Sequence, residues 1–127
     1  MQLTLRYNLP FTVVKVSYQG TSIDVSDVLI DTGSASTILA ADIVAAINIL
    51  PLPQDSLRTI RGIGGRELVF SRRVEYVQIG QCQLRDFEIE IGGMDYGYEI
   101  NGILGMDFLT QGRALINLKE MRIDFLD

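Results

Sequence analysis

The chain has 127 residues, 47% of them hydrophobic and 21% charged, a composition that excludes disorder and fits a single domain spanning 1–127. Its net charge of -5 argues against nucleic acid as a partner, because phosphate neutralisation needs a clustered positive surface. With no histidine and one cysteine, Cys82, it lacks a Ser-His or Cys-His nucleophilic pair, a His- or Cys-based metal site and an intrachain disulfide.

Arg6 and Pro10 interrupt MQLTLRYNLPF where a signal peptide needs an apolar core, and no apolar run approaches membrane-spanning length. With the lone thiol, this predicts a cytoplasmic chain with no membrane partner. FTVVKVSY (11–18) reads as a strand, Gln19-Gly20 as a turn and TSIDVSDVLI (21–30) as the return strand of a hairpin. ADIVAAINI (41–49) has helical spacing. TIRGIGGRE (59–67) reads as two strand arms around a glycine-rich tip. LRDFEIEIGG alternates, placing Leu84, Phe87, Ile89 and Ile91 on a buried face and Asp86, Glu88 and Glu90 on a wet one. MDFLTQG (106–112) suits a short helix stopped by Gly112, and ALINLKEMRIDF a closing hairpin. Many strands with one or two short helices predict an all-β fold, a barrel or orthogonally packed sheets.

Three segments stand out as candidate chemistry. In VLIDTGSAST an apolar strand runs directly into Asp31-Thr32-Gly33-Ser34; alone, such a triplet most often caps a turn. IRGIGG is a hairpin tip whose glycines let backbone approach a ligand, and it lacks the third glycine and the Lys-Ser/Thr of nucleotide loops. In NGILGMDFLTQG the strand Ile103-Leu104 stops at Gly105 before the helix.

In this order and spacing the three resemble the retropepsin-like family of aspartic proteases, with NGILGMDFLTQG similar to viral members and ADIVAAINI to cellular domains of the DNA-damage-inducible type. The resemblance implies a closed single-lobe acid-protease barrel with a flap hairpin. It implies an aspartic endopeptidase needing no cofactor or metal, acting on a peptide in extended conformation. In the aspartic-protease dyad, the standing example of the effect, two adjacent carboxyls share one proton and serve as acid and base. The chain has one Asp-Thr-Gly, so the second Asp31 comes from a twin in a C2 homodimer. By resemblance Thr32 reaches across the dimer axis, and Gly33 and Ala35 lie along the substrate backbone. Ser34 bonds the outer carboxylate oxygen of Asp31, which favours an acidic optimum. The flap residues Ile60, Arg61, Gly62, Ile63 and Gly64 close over the peptide, with Ile103 and Ile100 as subsite walls. Ala35 and Ser36 stand where viral members carry acids, and Met106 where they carry an arginine, so a bracing ion pair is absent and the closing hairpin builds a different interface. A catalytically quiet domain that binds peptides or dimerises is the alternative. From Arg58 to Arg73 five arginines face one acid, Glu67, which reads as a solvated hairpin or as a preference for acidic substrates.

Overall fold

The β-branched run of residues 9–18 extends into strand because branched side chains pack well on a pleated surface. The computed structural model describes residues 1–62, 65–94 and 99–126, with backbone alone for 60–62 and 65–68. Its strands are β1 (Thr4–Arg6), β2 (Leu9–Tyr18), β3 (Thr21–Ile30), β4 (Ile38–Ala40), β5 (Arg58–Gly62), β6 (Gly65–Ile79), β7 (Cys82–Gly92), β8 (Gly102–Leu104), β9 (Ala114–Asn117) and β10 (Arg122–Phe125). Helix α1 (Ala41–Val44) continues as a 3-10 turn over Ala45–Ile47, and α2 covers Met106–Gln111.

Gln19 and Gly20 both take positive φ, 50° and 81°, the conformation whose twist joins two strands by a two-residue turn. β2 and β3 therefore pair antiparallel from Phe11↔Leu29 to Tyr18↔Thr21. β3 then pairs parallel with β8, β8 antiparallel with β4, β4 parallel with β7, and β7 antiparallel with β6. β6 returns to β2 at Lys15↔Gln78 through Ser17↔Tyr76, closing a six-stranded ring. β1 and β5 extend the sheet, and β9 and β10 form a separate hairpin. The expected all-β barrel with two short helices is the observed fold.

The ring encloses Val14, Val16, Val25, Leu39, Val77, Ile89, Ile91 and Leu104, and α2 closes it with Phe108, whose ring meets Phe87 and Phe125 edge-on at 5.7 and 5.9 Å. A smaller apolar cluster of Phe11, Ile38, Ala40, Met94, Ile100 and Ile103 lies apart from this core. One expectation is corrected, and the physical reason behind a second is refined. Glu90 does not lie on a wet face; it is buried, 5% exposed, while Asp86 and Glu88 are exposed. Asp86 stands at φ 52°, an interruption of the pleat that lets both Leu84 and Phe87, three residues apart, pack against the core. α2 ends before Gly112 as expected, but Gly112 itself is right-handed, with φ -78°, and the left-handed step falls on Arg113 at 56°. A Cβ at Gly112 would stand 3.0 Å from both Cys82 Sγ and the Phe125 ring.

Candidate active site

β3 ends at Ile30 because its parallel partner β8 also ends there, at Leu104. One further bond, from the Asp31 N–H to the Leu104 carbonyl at 3.0 Å, delivers Asp31 half-buried at the head of the loop. The Gly33 N–H donates to Asp31 Oδ1 at 2.9 Å, fixing the carboxylate. A Cβ on Gly33 would lie 3.1 Å from that same oxygen, so glycine keeps the approach open. Thr32, Gly33 and Ala35 are exposed beside it.

The loop is held from below by the strand–helix junction after β8. The Met106 and Asp107 N–H groups donate to the carbonyls of Ser34 and Ala35 at 2.8 and 3.2 Å. Gly105 lies so close under the loop that a Cβ would stand 2.3 Å from the Ser36 carbonyl oxygen. Asp107 completes the brace: its carboxylate accepts the Thr37 N–H at 3.1 Å and the Thr37 hydroxyl at 2.8 Å, while Thr37 Oγ1 accepts the Gly105 N–H at 3.1 Å. Thr37 is fully buried, so these bonds, with the Glu90 N–H donated to its carbonyl at 2.9 Å, replace water for every polar group it carries. Thr37 and Asp107 both lie within the quoted motifs, VLIDTGSAST and NGILGMDFLTQG, but neither motif singles them out. The available signal is a short acid one residue into a helix that follows Gly105.

The Ser34 hydroxyl donates 2.7 Å to the Ser36 carbonyl instead of to Asp31. The loop folds back on itself, so the Ser34–Asp31 bond on which the expected acidic optimum rested is not the one Ser34 makes here. Met106 sits in an apolar hollow of about 340 Å³ with Thr32, Leu109, Ala114 and Ile116. Ile103 and Ile100 are buried in the smaller cluster, 7% and 6% exposed. The flap arms pair from Arg58↔Val69 to Gly62↔Gly65, bringing Ile60 opposite Glu67 and Arg61 opposite Arg66. Ile63 and Gly64 lie outside the described residues, as do the side chains of Ile60 and Arg61.

The arginine-rich stretch is not simply a solvated hairpin. Arg72, largely buried, binds Asp55 at 2.7 Å and the Leu50 carbonyl at 3.1 Å, and it lies over the Phe70 ring. Arg58 pairs with Glu90. A roomier concavity of about 650 Å³, lined by Cys82, Leu84, Gly112 and Phe125 among others, contains none of the predicted site residues; burial pushes the Cys82 thiol above its ordinary value there. No three His, Cys, Asp or Glu side chains gather as a metal site among the described residues. No helix among them is long and apolar enough to cross a membrane.

The family model described as "gag-polyprotein putative aspartyl protease" matches residues 14–111, which takes in β3, the Asp31 loop, the flap arms and α2. A crystal structure of a retropepsin-like aspartic protease from Rickettsia conorii superposes with a TM-score of 0.65 over 96% of each chain, at 18% identity. Among curated protein sequences none matches.

Proposed function

The chain belongs to the retropepsin-like aspartyl protease family, and from that premise we propose that it is an aspartic endopeptidase working as a homodimer. The observation that carries the proposal is Asp31, half-buried and oriented by the Gly33 N–H at the head of a loop braced from β8 and α2. The chain carries one such triplet, so the partner's loop supplies the second carboxyl.

A water between the two carboxyls loses a proton to the ionised one and attacks the peptide carbonyl carbon, whose oxygen takes the proton of the other. The tetrahedral intermediate then collapses, breaking the C–N bond as the amine nitrogen is protonated. Thr32, exposed beside the apolar hollow around Met106, reaches the partner loop. Gly33 and Ala35 leave the substrate backbone room, Ile103 walls a subsite, and the hairpin from Ile60 through Gly64 closes over an extended peptide and excludes water.

The test is cleavage of a diverse peptide library by wild type and Asp31→Asn at equal concentration. Cuts present in wild type and lost in the variant are expected, with specific activity falling on dilution as the dimer dissociates. Cleavage that survives in Asp31→Asn would refute the assignment.

A further inference from the structure

Glu90 is the feature that the fold alone does not explain. A buried ion pair stabilises no better than apolar residues of the same size, yet Glu90, paired with Ile38 and Ser71 on its neighbouring strands, lies 5% exposed and holds an arginine that is itself 58% exposed.

Its position follows from strand register. Paired residues on neighbouring strands share a face, as do residues two apart on one strand. Leu29 pairs with Ile103, Ile103 with Ile38, Ile38 with Glu90 and Glu90 with Ser71. Val69, two residues before Ser71, pairs with Arg58. This is one continuous row across six strands, on the face opposite the main core, to which Ile30, Leu39, Leu104, Ile89, Ile91 and Phe70 point. The row starts two residues before Asp31 and ends at the first residue of the flap. It passes through the smaller apolar cluster, where Ile38 and Ile103 lie.

We propose that Arg58, held in place by the buried Glu90, is a specificity-determining residue that reads a substrate carboxylate. This rests on the peptidase reading above and adds a substrate class to it. A guanidinium offers several donors in a fixed fork; anchoring it to Glu90 orients it before a peptide arrives, and its exposure leaves it open to a second carboxylate. The anchoring point on β7 lies three strand spacings from β3, roughly 14 Å along the sheet, a distance that an extended peptide covers in about four residues. The preferred substrates therefore carry Glu or Asp about four residues from the bond that is cut.

Decapeptides varied at each position among Glu, Gln, Lys and Ala are offered to wild type, Arg58→Gln and Arg58→Lys. The same peptides, carrying a fluorophore, are titrated into Asp31→Asn and Asp31→Asn/Arg58→Gln, which reports binding without cleavage. The expected result is about a tenfold preference for Glu over its isostere Gln at one position, the scale of a hydrogen bond to a charged group. Arg58→Gln should abolish that ratio whatever the absolute rate, and Arg58→Lys should retain part of it. No Glu/Gln preference in wild type, or a ratio that Arg58→Gln leaves intact, would overturn the inference while leaving the peptidase standing. Binding to Asp31→Asn with the charge preference, but no cleavage by wild type, would support the inference and overturn the peptidase. Neither binding nor cleavage overturns both.

Discussion

Asp107 accepts two hydrogen bonds from Thr37, seventy positions away in the chain. Its removal strands a hydroxyl and an N–H inside the protein, each costing its desolvation. Asp107→Ala is therefore expected to lower stability by about 3 kcal/mol in urea unfolding, and Asp107→Asn, which keeps an acceptor, by less. If Asp107→Ala unfolds like wild type, the brace is dispensable. At this scale the sequence is half legible. Asp31 announces itself because an acid directly after Val28-Leu29-Ile30 belongs to a short motif. Thr37 and Asp107 are ordinary residue types joined only by folding, and the orientation of the Ser34 hydroxyl is settled by a carbonyl two residues on.

Among the elements, the turn from β8 into α2 is the most constrained by space. With a Cβ at position 105 set 2.3 Å from the Ser36 carbonyl oxygen, Gly105→Ala must push the loop and the helix apart. It is expected to cost roughly 3 kcal/mol, at the upper end for overpacking, and to displace Asp31 with it. Thermal melts and the Asp31 amide resonance would report both effects; a variant that melts with wild type and leaves that resonance in place would show that the junction yields. Strand and helix positions were readable from period and turn residues: Gln19-Gly20, the β2–β3 hairpin and α2 fall where the pattern puts them. The burial of Glu90 was not, because alternation places a residue on a face without saying what covers that face. The same limit applies to Arg72, whose partner Asp55 comes from the stretch between Ile47 and β5.

For the molecule as a whole, closure of the ring between β2 and β6 is reinforced by Glu75. The Gly20 N–H, at 2.8 Å, and then the Ser17 hydroxyl, at 3.0 Å, hold its carboxyl below the ordinary value of 4.5. A carboxyl depressed by folding stabilises the native state above its unfolded value, and that contribution is lost as pH falls through the depressed value. Glu75→Gln should melt below wild type at neutral pH, and the two should converge as pH falls through the depressed value of the Glu75 carboxyl. Curves that stay equally far apart throughout would show that the charge of Glu75 is not what matters. The barrel itself was legible as a class from its many short strands. Its closing pair was not, since no local pattern specifies which distant strands meet.

That topology also sets a timetable. β2 with β3, and β6 with β7, join across short turns, whereas β3 meets β8 only after most of the chain has been brought back. Contacts of long sequence separation form slowly, because chain entropy is spent before they reward it. The Asp31 N–H, bonded to Leu104, belongs to the late set. In pulse-labelled hydrogen exchange during refolding, amides of the two hairpins should become protected first and that of Asp31 afterwards. A nascent chain in this order forms the loop that carries Asp31 only after both hairpins are in place.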